Sequence, residues 1–330
     1  MRNQDEEKAP GIEERRVLAV RGLSKTFKLG LRLKTVEAVR DASFEVERGE
    51  VFGFLGPNGA GKTTTIKICM GLIRATSGSV QLFGESVRSL EVRAKIGYLP
   101  EHPYFYDYLK PTEILDFYGK LFGLDRKERK RRIDRLLEQV GLSGARDRTL
   151  RKFSKGMLQR VGVAQALIND PEFLVFDEPL SGLDPIGRKE IRDIIVEQRA
   201  RGKTILMSSH ILSDIELICD KVAIINHGRI QAVGALDELL GDEQMVTEIT
   251  VRAVTDDLPA GIREQCQRIH RLGDYSRLFL EGDSDSVLAE LVTAGVRIES
   301  VVPKRESLED LFVKEAIKGS ARDARSEEAV

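Results

Sequence analysis

The residues best able to do chemistry lie in the run Gly56-Pro57-Asn58-Gly59-Ala60-Gly61-Lys62-Thr63-Thr64. Its glycines let backbone N–H groups approach phosphate oxygens, and a helix starting at Lys62 adds the favourable end of its dipole. Lys62 is then placed to reach β- and γ-phosphates, and Thr63 to offer a hydroxyl to Mg²⁺. The expected chemistry is the binding of a nucleoside triphosphate. A second candidate pair, Asp177 and Glu178, closes the apolar run Phe173-Leu174-Val175-Phe176, 115 residues after Lys62. In an open α/β sheet, ligands lie at the carboxyl ends of strands. There Asp177 would hold Mg²⁺ through water, and Glu178 would polarise an attacking water as general base.

These groups need strands and helices to position them. Val51-Phe52-Gly53-Phe54-Leu55 reads as a buried strand that feeds the glycine-rich loop, and Lys62–Leu72 reads as the helix after it. Strand, loop and helix in that order are the context a phosphate-binding loop requires. Downstream, Phe173–Phe176 (strand), Arg188–Arg199 (helix), Thr204–Ser208 (strand), Ile211–Cys219 (helix) and Val222–Asn226 (strand) alternate. Such alternation predicts a mainly parallel sheet flanked by helices. Upstream, Val17–Ala38 and Ala42–Val46 read as strands. Residues 110–170 read as helical, with Ile133, Leu136, Leu137 and Val140 on one face of a helix that Gly141 ends. The basic run Arg126–Arg132 beside that stripe reads as a solvated helix face.

Further segments fall into place around these. Phe153-Ser154-Lys155-Gly156-Met157 precedes Asp177, with Ser154 23 residues ahead of it; Ser181-Gly182-Leu183-Asp184 follows Glu178; His210 stands 32 residues after Glu178; Ile96-Gly97-Tyr98-Leu99-Pro100-Glu101 lies between the two acidic and glycine-rich sites. Together they make the chain resemble the ATP-binding cassette (ABC) ATPases over roughly residues 17–240. The resemblance implies a P-loop cassette: a mainly parallel core sheet with helices, an N-terminal antiparallel β subdomain and an inserted helical subdomain. It implies ATP and Mg²⁺ as ligands, Glu178 and His210 as catalytic residues, and Thr63, Asp177 and Glu101 as metal-site residues.

The resemblance carries over further roles. Phe153–Met157 stands where the family has Leu-Ser-Gly-Gly-Gln; it departs at three of five positions and keeps Ser154 and Gly156, which would grip the γ-phosphate of an opposed copy. Glu101 replaces the usual Gln, adding a charge. Phe27 stands where an aromatic ring stacks on adenine, a task any π-face performs; a core Phe is the other reading. Ser181–Asp184 resembles the loop that crosses between paired subunits. Five of the six tyrosines fall between Tyr98 and Tyr118, which suits either an interface or packing within the helical subdomain. The implied partners are an integral-membrane permease encoded as a separate chain and a second ATPase subunit, a homodimer being expected, at the cytoplasmic face of the membrane. The variants at Glu101 and Lys155 favour export.

Bulk composition bounds the alternatives. The 330 residues suffice for a large domain and a small one. With 52 basic and 53 acidic residues the net charge is −1, which argues against a nucleic-acid binder. Cys69, Cys219 and Cys266 form no Cys-x-x-Cys pair, so buried free thiols are expected. A soluble ABC-type ATPase of translation or DNA repair would carry a second cassette, a coiled-coil insertion or zinc-binding cysteines; the 90 residues from Lys62 to Lys152 leave room only for a compact helical subdomain. The expected organisation is a disordered tail at 1–14, an ATPase domain at 15–241 with its helical subdomain at about 102–170, an α+β accessory domain at 242–318 and a disordered tail at 319–330.

Overall fold

Two long strands open the described chain: β1 (Arg16–Leu29) and β2 (Lys34–Glu47). They pair antiparallel, and β1 also pairs antiparallel with β4 (Ser77–Leu82), which carries the short β5 (Glu85–Ser86) at the edge. The sheet order is β2-β1-β4-β5. Val17, Leu18, Val20 and Leu23 of β1 and Phe44 and Val46 of β2 are buried, because this sheet lies against a second, larger one. Phe44 stacks on Phe52 of β3 (Val51–Leu55), with ring centroids 5.5 Å apart. The computed structural model describes residues 15–29, 34–240, 245–282 and 284–305. The expected tails at 1–14 and 319–330 and the expected domain boundary at 241/242 fall outside the described residues.

The second sheet has six strands in the order β10-β9-β3-β8-β7-β6. Its members are β6 (Ile96–Leu99), β7 (Phe173–Phe176), β8 (Thr204–Ser209), β9 (Lys221–Asn226) and β10 (Arg229–Ala235), besides β3. From β9 to β6 every neighbouring pair is parallel. Strands β3, β7 and β8 are buried along their whole length, which explains their continuous apolar runs: helices cover both faces of such sheets. The helices of this unit are α1 (Lys62–Cys69), α2 (Leu90–Ala94), α3 (Pro111–Leu121), α4 (Arg126–Gln139), α5 (Lys155–Leu167), α6 (Pro185–Ala200) and α7 (Leu212–Ile218). Gly97 in β6 permits the close approach of α5, since a Cβ there would sit 2.0 Å from the Ala166 carbonyl oxygen. Among the described residues no helix is long and apolar enough to cross a membrane.

The chain divides between Gly234 and Ala235 into two compact units. After the short α8 (Leu236–Leu240), the second unit runs β11 (Met245–Arg252), α9 (Ala260–Gln265), β12 (Arg268–Leu272), β13 (Tyr275–Glu281), α10 (Asp285–Thr293) and β14 (Arg297–Arg305). This β-α-β-β-α-β order, with an antiparallel sheet arranged β12-β13-β11-β14, is the ferredoxin-like motif. Ile249, Val251, Leu278 and Leu280 from the sheet pack with Leu258, Ile262, Val287 and Leu291 in a core of its own.

Several elements lie outside the sequence reading, among them β4, β5, α2, β6 and α8. Strand β10 and strand β12 were not expected, nor was α9. In β12 only Ile269 among its five residues is even partly covered, so its pattern carries no buried face, and α9 is too short for helical periodicity. The helix expected at Lys62–Leu72 ends at Cys69, ahead of a turn at Gly71. All three cysteines are free; Cys69 and Cys219 are buried, and burial pushes the Cys69 thiol up to about 12.

Candidate active site

The parallel strands deliver the candidate residues in a row. In the adjacent order β3, β8, β7, β6 the register pairs Leu55 with Ser209, Met207 with Phe176, and Phe176 with Leu99. Strands β3 and β8 therefore end level, two residues beyond the level ends of β7 and β6, and the residues that follow are Gly56, His210, Asp177 and Pro100-Glu101. Four strand termini at one edge of the sheet bring together groups that lie far apart in sequence.

The loop after β3 is built by its glycines. Gly61 has φ +109°, and a Cβ there would lie 2.4 Å from the Ala38 carbonyl oxygen of β2. No other residue fits that position. Lys62 begins α1 and is only 5% exposed. Its Nζ donates to the carbonyl oxygens of Gly56 (2.6 Å) and Pro57 (3.2 Å) and lies 3.1 Å from Glu178 Oε1. The ammonium thus offsets a carboxylate that is itself 6% exposed.

Glu178 is held tightly. Its φ is +51°, a region that costs a non-glycine residue on the order of 1–3 kcal/mol. The turn there follows the strand end directly, and the Glu178 carboxylate meets both Lys62 and His210. His210 Nδ1 donates to Glu178 Oε2 at 2.7 Å. The Glu178 N–H donates to Ser208 Oγ (2.9 Å), and the same hydroxyl donates to Asp177 Oδ1 (2.7 Å). Thr63 Oγ1 donates to Asp177 Oδ1 at 3.1 Å.

Asp177 is almost wholly buried, and its Oδ2 has no hydrogen-bond partner. Burial pushes its carboxyl above the ordinary range, the hydrogen bonds from Ser208 and Thr63 pull it back, and the nearby charges of Glu101 and Glu178 push it up again. An orphaned buried acceptor costs about 1–3 kcal/mol; a divalent cation beside Thr63 and Asp177 would satisfy it. Among the described residues no three His, Cys, Asp or Glu side chains converge as a metal cage. That fits Mg²⁺, which takes one or two protein oxygens and fills the rest with phosphate and water. Glu101 lines the same cleft as Pro57–Gly59, Gly61–Thr64 and Glu178.

Two groups of expected site residues lie elsewhere. Ser154 and Gly156 line a different cavity, together with Lys155, Gly182, Leu183 and Asp184. Ser154 caps α5, its Oγ accepting from the Met157 N–H at 3.3 Å, so the hydroxyl and the helix N-terminus point to the same place. Phe27 sits on β1 opposite Val36, with Lys25 Nζ 4.9 Å from its ring centre, and is not among the residues lining the cleft.

The family follows from comparison with known proteins. A family model described as "ABC transporter" matches residues 39–181. An uncharacterised ABC transporter ATP-binding protein of Synechocystis sp. is 41% identical over 296 residues, covering 89% of this chain and 82% of the relative. The chain belongs to the ABC transporter ATP-binding proteins. This ATPase is also 37% identical to the bacitracin transport ATP-binding protein of Bacillus licheniformis, over 88% of the chain and 96% of the relative. A solved ATP-binding subunit of an ABC transporter, 34% identical, matches with a TM-score of 0.61 over 68% of this chain and 91% of that one.

Residues that sequence reasoning missed complete the ATPase site. Ser208 joins both acids, yet a serine at a strand end carries no distinguishing signal. Gln159, buried on α5, donates from Nε2 to the Pro179 carbonyl oxygen at 3.1 Å and so ties the Ser154 helix to the loop after Glu178. Asp214 on α7 is buried, 3.6 Å from Arg192 Nη1 of α6. Its only sequence signal was its place four residues after His210.

Proposed function

We propose that this ATPase powers export by a separate membrane permease, two copies closing head to tail around Mg-ATP at the cytoplasmic face. One observation carries the reading. The phosphate-binding loop and Glu178 line one cavity, and the Ser154–Gly156 helix terminus lines another that shares no residue with it. A γ-phosphate held in the first can meet the second only if a neighbouring copy supplies it.

In this reading Lys62 leaves Glu178 for the β- and γ-phosphates when ATP enters. The freed Glu178 acts as general base toward the attacking water, and His210 holds its carboxylate and the γ-phosphate in register. Thr63 and Asp177, with Glu101 near, would hold Mg²⁺, which supplies positive charge to the phosphates. Ser154 and Gly156 cover the γ-phosphate of the opposed copy, and Phe27 stacks on adenine. The groove lined by Tyr98, Tyr104, Phe105, Tyr118, Leu121 and Phe122 receives a short helix of the permease. Residues 15–241 act as the motor, and the module at 242–318 stabilises or regulates the pair. Export is favoured by the variants at Glu101 and Lys155.

The test is Glu178→Gln with ATP and Mg²⁺, followed by light scattering. The substitution keeps the shape and removes the base, so the dimer accumulates. A monomer under those conditions contradicts the reading.

A further inference from the structure

The first two turns of α4 hold charge that the fold does not use. Arg126, Lys127 and Lys130 are exposed and have no ion pair with any described residue, while Arg131, also exposed, shares Glu128 with Arg132. Arg126 and Lys127 stand in the first turn, where positive charge opposes the helix dipole at a cost of some tenths of a kcal/mol each. The neighbouring cation Arg129 shows the structural alternative. Its guanidinium pairs with Asp116 of α3 at 2.6 Å and donates to the Leu124 carbonyl oxygen, tying the two helices together. Arg126, Lys127 and Lys130 have no such task among the described residues.

Apolar side chains stand beside them. Phe117 and Leu121 are exposed on α3, Leu121 to 66%, and Phe122 follows directly. Leu121 and Phe122 also line the aromatic groove, and the short turn at 122–125 is all that separates α3 from α4 and its unpaired cations. Unpaired basic residues beside exposed Leu and Phe match the composition of surfaces that lie in a membrane interface, where apolar groups enter the headgroup layer and cations meet lipid phosphates. A nucleic-acid surface would call for the cations alone or with flat stacking rings, and it leaves Leu121 without a role.

We propose that the α3–α4 corner of this ATPase rests on anionic phospholipid, with Arg126, Lys127 and Lys130 on the headgroups and Leu121 and Phe122 at their edge. The proposal rests on the transporter reading for its orientation: the groove that accepts the permease then faces the bilayer, and the corner beside it meets the lipid around the permease. A contact of this kind holds the motor subunit close to the membrane before the permease groove is filled.

The experiment is flotation of the purified full chain with vesicles of mixed phosphatidylglycerol and phosphatidylcholine, or of phosphatidylcholine alone, at low ionic strength and without nucleotide. The wild type is expected on the anionic vesicles only, with binding that falls as salt is raised. The triple variant Arg126→Gln/Lys127→Gln/Lys130→Gln is expected to bind about a hundredfold more weakly, on the order of fivefold for each basic residue at such a surface. Its ATP-dependent assembly in the Glu178→Gln background stays intact, which separates lost contact from lost fold. Equal binding to both vesicles, undiminished binding by the triple variant, absence of wild-type binding, or tighter binding to short duplex DNA than to vesicles would each overturn the proposal. None of these outcomes touches the transporter reading, because the vesicles contain no permease; failure of that reading appears instead as absence of the ATP-driven dimer.

Discussion

The two cavities of the ATPase unit are built on opposite plans. The cleft under the Gly56–Thr64 loop is largely closed on itself: Lys62 is matched with Glu178, Glu178 with His210, and Asp177 with Ser208 and Thr63. The Ser154–Gly156 cavity is the reverse. Ser154 and Lys155 are exposed, Gly156 is partly covered, and the first turn of α5 contains no acid to answer the helix dipole. One site holds its charges in reserve by pairing them internally; the other presents Lys155, a hydroxyl and a helix N-terminus, and its acid, Asp184, already accepts from the Gly187 N–H. The difference teaches that the first half is preorganised within a single chain, whereas the second stands open, as the proposed pairing of two copies requires.

The comparison can be broken first at Glu178. Its replacement by Gln should lower steady-state phosphate release by about 10²–10⁴, even at protein concentrations that favour pairing. A loss of less than tenfold would remove Glu178 from the base role. Next comes Ser208, whose hydroxyl serves both acids. Ser208→Ala leaves the Glu178 N–H without its acceptor and Asp177 Oδ1 with Thr63 as its remaining side-chain donor, and should cost about 1–3 kcal/mol in chemical denaturation. An unchanged midpoint would mean that the cleft is less tightly determined than its hydrogen bonds imply.

Ser154 sharpens the contrast because its two tasks separate. Asn caps helices as well as Ser does, whereas Ala costs about 1 kcal/mol. Ser154→Asn should therefore keep the melting temperature of the wild type, and Ser154→Ala should lower it slightly. Both should lose ATPase activity if the hydroxyl meets phosphate; retained activity in Ser154→Asn would reduce Ser154 to a cap.

The smallest effect concerns pH. Burial raises the Asp177 carboxyl above its ordinary range, so the folded state binds a proton that the unfolded chain releases. As pH rises through that window the wild type pays for an ionised, buried Asp177 and loses stability. Asp177→Asn should thus be the more stable protein above the window in nucleotide-free buffer, and its advantage should fade as pH falls to the ordinary carboxylate range. An advantage that grows with acidity would contradict the assigned cause.

What was legible in the sequence was what local chemistry dictates. The Gly56–Thr64 loop shows itself because backbone approach to phosphate requires glycines at set positions, and Asp177-Glu178 because four buried apolar residues precede it. Ser208 and Gln159 stayed hidden, since their value lies in contacts with residues far along the chain. In the C-terminal unit, β11 and β13 announce themselves through Ile249, Val251, Leu278 and Leu280. Strand β12, Arg268 to Leu272, is mostly exposed and polar at alternate positions, so pairing with β13 makes it a strand where pattern does not. The ferredoxin-like order emerges only from that pairing.

The central claim, that each active site is shared between two copies, is tested most directly by mixing two inactive chains. Lys62→Ala removes the phosphate lysine and keeps the Ser154–Gly156 cavity; Gly156→Asp keeps the cleft and places a negative charge where the opposed phosphate would rest. Each alone should hydrolyse almost no ATP. Mixed in equal amounts, they should regain hydrolysis, because a hetero-pair contains one site with the intact cleft of the second chain and the intact cavity of the first. A mixture as silent as its parts, with both chains folded and able to pair, would contradict the shared site.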